Sequence, residues 1–205
     1  MSAPVPGICA VVLAAGGARR FGADKLLAPL GDRPVLAHTL ASLDGLALSA
    51  RIGVVGPGDA GREDLLRAHG CRVVRNPNPA RGQASSLRRG LAAVPQGSAA
   101  LVLLGDMPGV DAALLRAVVG SGRTPALCAR GETLLPPALI PAARVGAARA
   151  SGDRGASAWL RSLPGLRRVQ LTAGQARDVD TPADLRALGR GMKSTVTSAI
   201  TEALA

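Results

Sequence analysis

One short stretch near the amino terminus combines small residues with cations. Ala14, Ala15, Gly16, Gly17 and Ala18 carry almost no side chain, so their backbone N–H groups can come within hydrogen-bonding distance of an anion, and Arg19, Arg20 and Lys25 follow closely. Such a loop cradles phosphate. Lys25 stands out on composition, because the chain has 25 basic residues of which only Lys25 and Lys193 are lysines. A compact ammonium meets a phosphoryl oxygen differently from a planar guanidinium, so a lysine kept in an arginine-rich chain marks a candidate contact. The carboxylates come later. Asp106 ends an apolar run at Gly105-Asp106-Met107-Pro108, and Asp178 and Asp180 alternate in Arg177-Asp178-Val179-Asp180-Thr181-Pro182. Alternation puts both on one side of an extended segment, and two carboxylates with no base between them suit a hard cation whose shell is completed by phosphate oxygens and water. Each acid also has a plainer role: a turn for Asp106, and a cap by Asp180 or Thr181 on a helix starting at Pro182.

Two well-known phosphate loops do not fit. A dinucleotide fingerprint needs G-x-G-x-x-G, whereas Gly16 and Gly17 are followed next by Gly22. A Walker loop needs G-x-x-x-x-G-K-[ST]; Gly17 and Gly22 have the gap, but Ala23 follows and Lys25 comes late without a hydroxyl neighbour.

The elements that position these residues can be read from periodicity. Residues 8–13 form an uninterrupted apolar, β-branched run, as expected of a strand buried on both faces of a parallel sheet, and ligands bind at the carboxyl ends of such strands. A helix opens near Pro34 and runs to about Leu43. Strands over residues 51–55 and 71–75 enclose a helix over 60–69, which is the rhythm of a doubly wound sheet. After Asn76-Pro77-Asn78-Pro79, Ser85 and Ser86 open a helix; as bare sequence they are helix caps, with free N–H groups that could meet a nucleotide. A fourth strand covers 99–104, a helix 111–119, a fifth strand 125–129 and a further strand 167–171, with residues 131–137 less regular and 144–149 helical. The fold expected is a single α/β domain with a doubly wound, Rossmann-like, mostly parallel sheet and helices on both faces. It spans residues 1–191; residues 192–205 form an extension with Val196, Ile200 and Leu204 as one narrow apolar stripe, either helical or disordered.

Composition narrows the function classes. At 205 residues the chain can bury a core without staples, and with Phe21 and Trp159 as its only aromatics it offers no stacking platform for bases. The formal charge of +11 is spread along the chain, and arginines never run longer than two, which favours steering of small anions over a nucleic-acid partner. Cys9, Cys71 and Cys128 lack metal-ligand spacing and read as buried fillers, and His38 and His69 as structural. No segment reaches the length of a membrane span and the amino terminus lacks a charged, apolar leader, so a cytoplasmic location is expected.

The first loop resembles the L-A-A-G-x-x-x-R-x-G-x-x-K signature of the MobA-like nucleotidyltransferases, with Leu13, Ala14, Ala15, Gly16, Arg20, Gly22 and Lys25 at the family spacing. Ala18 stands where the family usually has Ser. The G-D-M-P at Asp106, the D-x-D-T-P-x-D-L at Asp178 and the G-D-R-G-A at residues 152–156 are similar to later motifs of that family, the last typical of molybdenum cofactor cytidylyltransferases. The resemblance implies a fold of the nucleotide-diphospho-sugar transferase type and the transfer of CMP from CTP to the terminal phosphate of a pterin cofactor, with a molybdenum hydroxylase as receiver of the product. It implies catalytic roles for Lys25, Arg20 and Asp106. Nucleotide contacts would come from Leu13, Ala14, Ala15, Gly16 and Gly17 and, on the base side, from Gly82, Gln83 and Ser86. Mg²⁺ would sit on Asp106 with Asp178 or Asp180, and Arg154 could meet an acceptor phosphate or leave Asp153 as a simple cap. CTP is preferred over GTP because guanylyltransferases usually carry a G-P-L-x-G type loop at residues 82–87 and commonly read A-G-G at 14–16. Two rivals remain: an oxidoreductase using a nicotinamide cofactor, and a non-catalytic carrier of the molybdenum cofactor.

Overall fold

A computed structural model describes residues 7–16, 21–120, 122–150 and 155–189 of the protein. Strand β1 (Ile8–Leu13) is buried along its whole length, as its unbroken apolar run requires of a central strand. A two-residue pair, β2 (Pro29–Leu30) and β3 (Arg33–Pro34), turns the chain into α1 (Val35–Ala41). There follow β4 (Ala50–Val55), α2 (Ala60–Ala68) and β5 (Arg72–Arg75), then a single 3₁₀ turn (Pro79–Arg81) and α3 (Gln83–Ala92). The second half holds β6 (Ala99–Leu104), α4 (Ala112–Val119), β7 (Ala126–Arg130), β8 (Thr133–Ile140), α5 (Ala142–Val145), α6 (Ser157–Arg161) and β9 (Arg167–Gln170), and residues 182–189 are helical.

Seven strands form one sheet in the order β5-β4-β1-β6-β8-β7-β9. All but β8 lie parallel to their sequence-related neighbours; β8 runs antiparallel between β6 and β7. Period-two alternation along β1 divides the core between the two faces of the sheet. Ala10 and Val12 pack with Leu36, Leu40, Leu66, Leu115 and Val118, while Val11 and Leu13 pack with Leu87, Leu91 and Leu160 on the opposite face. Helices therefore cover both faces, as expected for a doubly wound sheet. The close seat of α3 needs Gly90, where a Cβ would lie 2.5 Å from Val11 Cγ1 and 3.0 Å from Val54 Cγ2.

Three sequence expectations are corrected. Residues 131–137, expected to be irregular, lie largely in the long strand β8. Proline cannot donate to a ladder, which argues against a central strand; here the register shifts so that Leu127 pairs with Ala138 and Cys128 with Leu135, leaving Pro136 and Pro137 opposite no donor-demanding partner. The helix expected over 144–149 is only Ala142–Val145. Finally, α3 begins at Gln83 with Gly82 at its N-cap and has no side-chain cap bond, so neither Ser85 nor Ser86 caps it. The extension over 192–205, with the domain boundary at 191, lies outside the described residues. No helix among the described residues is long and apolar enough to cross a membrane.

Candidate active site

Because β1, β4, β5 and β6 are parallel, the loops leaving their carboxyl ends meet at one edge of the sheet. The chain passes from β1 outward to β4 and β5 and returns to β6 on the other side of β1, so a crevice opens at this reversal. Its volume is about 690 Å³, and its walls come from Ala15 and Gly16 after β1, Gly56 and Pro57 after β4, Gly82, Gln83 and Ser86 at the start of α3, and Leu104 and Asp106 at the end of β6. Leu13 lies at its floor, and Ala14 is fully buried beneath the loop. The structure thus brings Leu13, Ala14, Ala15, Gly16, Gly82, Gln83, Ser86 and Asp106 to one place. Gly17, Arg20 and Arg154 lie outside the described residues.

Asp106 is anchored from several sides. The N–H of Gly105 donates to Leu13 O at 3.0 Å, and the Thr39 hydroxyl donates to Gly105 O at 3.2 Å. The N–H of Val179 donates to the Asp106 carbonyl at 3.1 Å, which lays the closing segment against the end of β6. Val179 is fully buried, so Asp178 and Asp180 on either side of it are exposed, as the alternation predicted. Thr181 and Asp184 form a reciprocal cap on the last helix: the Asp184 carboxylate accepts from the Thr181 N–H at 2.8 Å, and Thr181 Oγ1 accepts from the Asp184 N–H at 3.3 Å. Capping is therefore done by Thr181, and the Asp180 carboxylate is left to meet Lys25.

Lys25 is where these carboxylates converge. Its Nζ lies 2.7 Å from Asp106 Oδ2 and 2.9 Å from Asp180 Oδ1. Burial works against the ammonium charge, but the carboxylate of Asp106, helped by Asp180, outweighs it and holds the Lys25 pKa above its ordinary value. Asp178 is shifted in the same direction, which for an acid disfavours the charged form. Although the residue as a whole is exposed, partial desolvation of its carboxyl pushes its pKa up to about 6, with the nearby charges of Asp106 and Asp180 adding to this and Lys25 opposing.

Among the described residues, no three His, Cys, Asp or Glu side chains form a ready-made metal cage. The donor set nevertheless fits a hard divalent cation of the kind that binds through one or two carboxylates and takes its remaining ligands from phosphate and water. Asp106 Oδ1 is buried with no hydrogen-bond partner, an orphaned anionic oxygen beside the crevice.

Sequence reasoning missed Arg62, which α2 sends beneath the first loop. Only 5% exposed, it donates from Nε to Asp24 Oδ2 at 2.8 Å and from Nη1 to the carbonyls of Ala14 at 2.7 Å and Gly16 at 3.1 Å, with Asp59 Oδ2 at 3.3 Å. One guanidinium thus ties together the segments on both sides of the phosphate-loop candidate, a use suited to its fixed fork of donors. No spacing signal marks it, since its partners are 3, 38, 46 and 48 residues away. Asn76, 2% exposed, was also missed; it bonds the hydroxyls of Ser85 and Ser86. The expected bland residues are bland: His38 Nε2 meets Leu30 O at 2.7 Å, and the three cysteines are buried, which pushes their thiol pKa values up to about 11 or 12.

A model of the MobA-like NTP transferase domain matches residues 10–169, well over half of the chain. The bifunctional protein GlmU of Sphingopyxis alaskensis is 36% identical over 128 residues, covering 58% of this chain and 28% of that protein. A probable molybdenum cofactor guanylyltransferase of Pyrococcus horikoshii is 34% identical over 104 residues, 49% of each chain. The chain spans about a quarter of the length of the GlmU relatives it matches. Among solved structures, Rv0371c of Mycobacterium tuberculosis H37Rv superposes with a TM-score of 0.76 and 31% identity over 92% of this chain and 100% of that one, and a second structure of it is a manganese complex, at TM-score 0.73 and 29% identity over 90% and 98%.

Proposed function

The chain belongs to the MobA-like NTP transferase family, and on that premise we propose that it transfers CMP from CTP to the terminal phosphate of a molybdopterin acceptor. The observation that carries this reading is the meeting of Lys25, Asp106 and Asp180 beside a crevice walled by the Ala15-Gly16 loop and the start of α3. An acceptor phosphate oxygen forms a bond to the α-phosphorus of CTP while the bond from that phosphorus to the bridging α–β oxygen breaks, and pyrophosphate leaves with the electron pair. No protein nucleophile is required, so the protein contributes positioning and charge. Backbone N–H groups at Gly16 and Gly17 receive phosphate oxygens, and Lys25 and Arg20 offset the charge that develops as pyrophosphate departs. Asp106, with Asp178 or Asp180, would hold Mg²⁺, which when bound supplies Lewis-acid charge to the phosphates. Gly82, Gln83 and Ser86 receive the base. The product would pass to a molybdenum hydroxylase in the cytoplasm.

A second reading, GTP in place of CTP, is favoured by the guanylyltransferase among the relatives. Pyrophosphate release measured with CTP, GTP, ATP and UTP in the presence of Mg²⁺ and molybdopterin separates the two. CTP turning over fastest is the expected result; a preference for GTP installs the second reading, and release from none of the four removes both.

A further inference from the structure

Two adjacent serines at the start of α3 are almost fully buried, Ser85 at 7% and Ser86 at 6% exposure, and both bond the same side-chain amide, that of Asn76. The orientation of that amide follows from chemistry. The backbone N–H of Asn78 lies 3.1 Å from one end of it, and an N–H can only donate, so that end is the carbonyl oxygen Oδ1. The other end is therefore Nδ2, a donor, and it points at Ser85 Oγ at 2.8 Å and Ser86 Oγ at 3.0 Å. Both hydroxyl oxygens act as acceptors toward Asn76.

The two hydroxyl protons then have different fates. Ser85 places its own on the carbonyl of Gly82 at 2.8 Å, with Asn78 O at 3.2 Å. Ser86 has no acceptor for its proton among the described residues, and Ser86 lines the crevice. With one lone pair taken by a fixed donor and its proton left without a protein acceptor, the hydroxyl turns that proton toward whatever lies beside it.

We propose that Asn76 is a specificity-determining positioning residue: by occupying one lone pair of the Ser86 hydroxyl it biases that hydroxyl toward donating into the crevice, so the crevice favours a nucleobase edge bearing a carbonyl or ring-nitrogen acceptor there over one bearing an amine. This rests on the reading of the crevice as a nucleotide site. Asn76 does not line the crevice and acts through Ser86. An amine facing Ser86 could use only the remaining lone pair and would leave the hydroxyl proton without an acceptor, an unsatisfied buried donor that a site discriminates against.

The test is calorimetric titration of the wild type, Ser86→Ala, Asn76→Ala and the double variant with CTP and, as a probe that has phosphates but no base, inorganic tripolyphosphate, each with Mg²⁺. Each single substitution is expected to weaken CTP by roughly 5- to 100-fold, the scale of one unsatisfied buried polar contact, and to leave tripolyphosphate unchanged. The double variant is expected to be no weaker than the weaker single, because one residue works through the other. A merely structural role for Asn76 would weaken both probes. The inference is overturned if Asn76→Ala keeps wild-type CTP affinity, if tripolyphosphate falls in parallel with CTP, or if the two losses multiply. Because Asn76→Ala also strips the Asn78 N–H of its acceptor, Asn76→Asp serves as the second version: it keeps that acceptor and replaces the donor, and although its added charge weakens both polyanions, it is expected to weaken CTP more than tripolyphosphate, equal losses overturning the inference. Should both Asn76 variants fail to fold, Ser86→Ala decides, and unchanged CTP affinity there overturns the inference. A wild type that binds CTP no better than tripolyphosphate removes the nucleotide reading itself; CTP binding without the Asn76 effect removes the polarity inference alone.

Discussion

Lys25 Nζ lies 2.7 Å from Asp106 Oδ2 although 81 residues separate them, and the same ammonium reaches Asp180 Oδ1 at 2.9 Å. One small cation therefore holds two carboxylates from separate segments of the chain. A guanidinium is longer and planar, so its donors fall at different positions from the single ammonium. Lys25→Arg is expected to lower pyrophosphate release by roughly tenfold to a thousandfold, the range for one misplaced preorganised charge, with nucleotide binding largely kept. Wild-type turnover in steady-state assays would leave Lys25 no specific role.

Asp106 and Asp180 differ in setting. The side chain of Asp106 is 19% exposed with one orphaned oxygen, while that of Asp180 is 57% exposed. Asp106→Asn should accordingly reduce turnover far more than Asp178→Asn or Asp180→Asn alone, and removing both closing acids should match removing Asp106. Kinetics over a Mg²⁺ series check this, and a wild-type rate for Asp106→Asn at saturating metal would move the cation elsewhere.

Arg62 is a structural counterpart to these charges. Arg62→Gln strips two carbonyls and two partly solvated carboxylates of a buried donor, and a loss on the order of 2 to 3 kcal/mol in urea unfolding is expected. Turnover should fall as well, because the loop flanked by Gly16 and Asp24 loses its tie. A variant as stable as wild type would show that the loop holds its shape without the guanidinium.

Asp111 carries a pH-dependent part of the stability. Its Oδ1 accepts from the Leu114 N–H at 2.8 Å at the start of α4, its Oδ2 accepts from Gln175 Nε2 at 2.9 Å, and the backbone bond first of all holds its pKa below the ordinary carboxylate value. A depressed folded pKa means that the contribution is present above the unfolded pKa of about 3.9 and is lost as pH falls through the lower folded value. Asp111→Ala should cost about 1 kcal/mol at pH 7, and the gap from wild type should close on acidification below pH 4. A gap that persists unchanged at low pH would assign the cap no charge dependence.

The sequence by itself determined the strands, because β1, β4 and β6 are short apolar runs whose character depends on local composition, and it placed the small-residue loop and Asp106 at strand ends for the same reason. Alternation about Val179 was likewise a local property and put Asp178 and Asp180 on one side correctly. Tertiary structure decided the rest. Whether Pro136 and Pro137 could sit in a strand depended on a register shift between β8 and β7 that leaves both prolines unpaired, a property of the strand pairing rather than of local composition. Arg62 and Asn76 carry no local mark, since an arginine on a helix and an asparagine before a proline look ordinary until the carbonyls and hydroxyls they bond are folded against them. Charge is the clearest case: the sequence supplied one loop lysine and three acids, but only the Val179 to Asp106 backbone bond and the parallel sheet edge brought them within Coulombic reach, and distance sets the strength of that interaction.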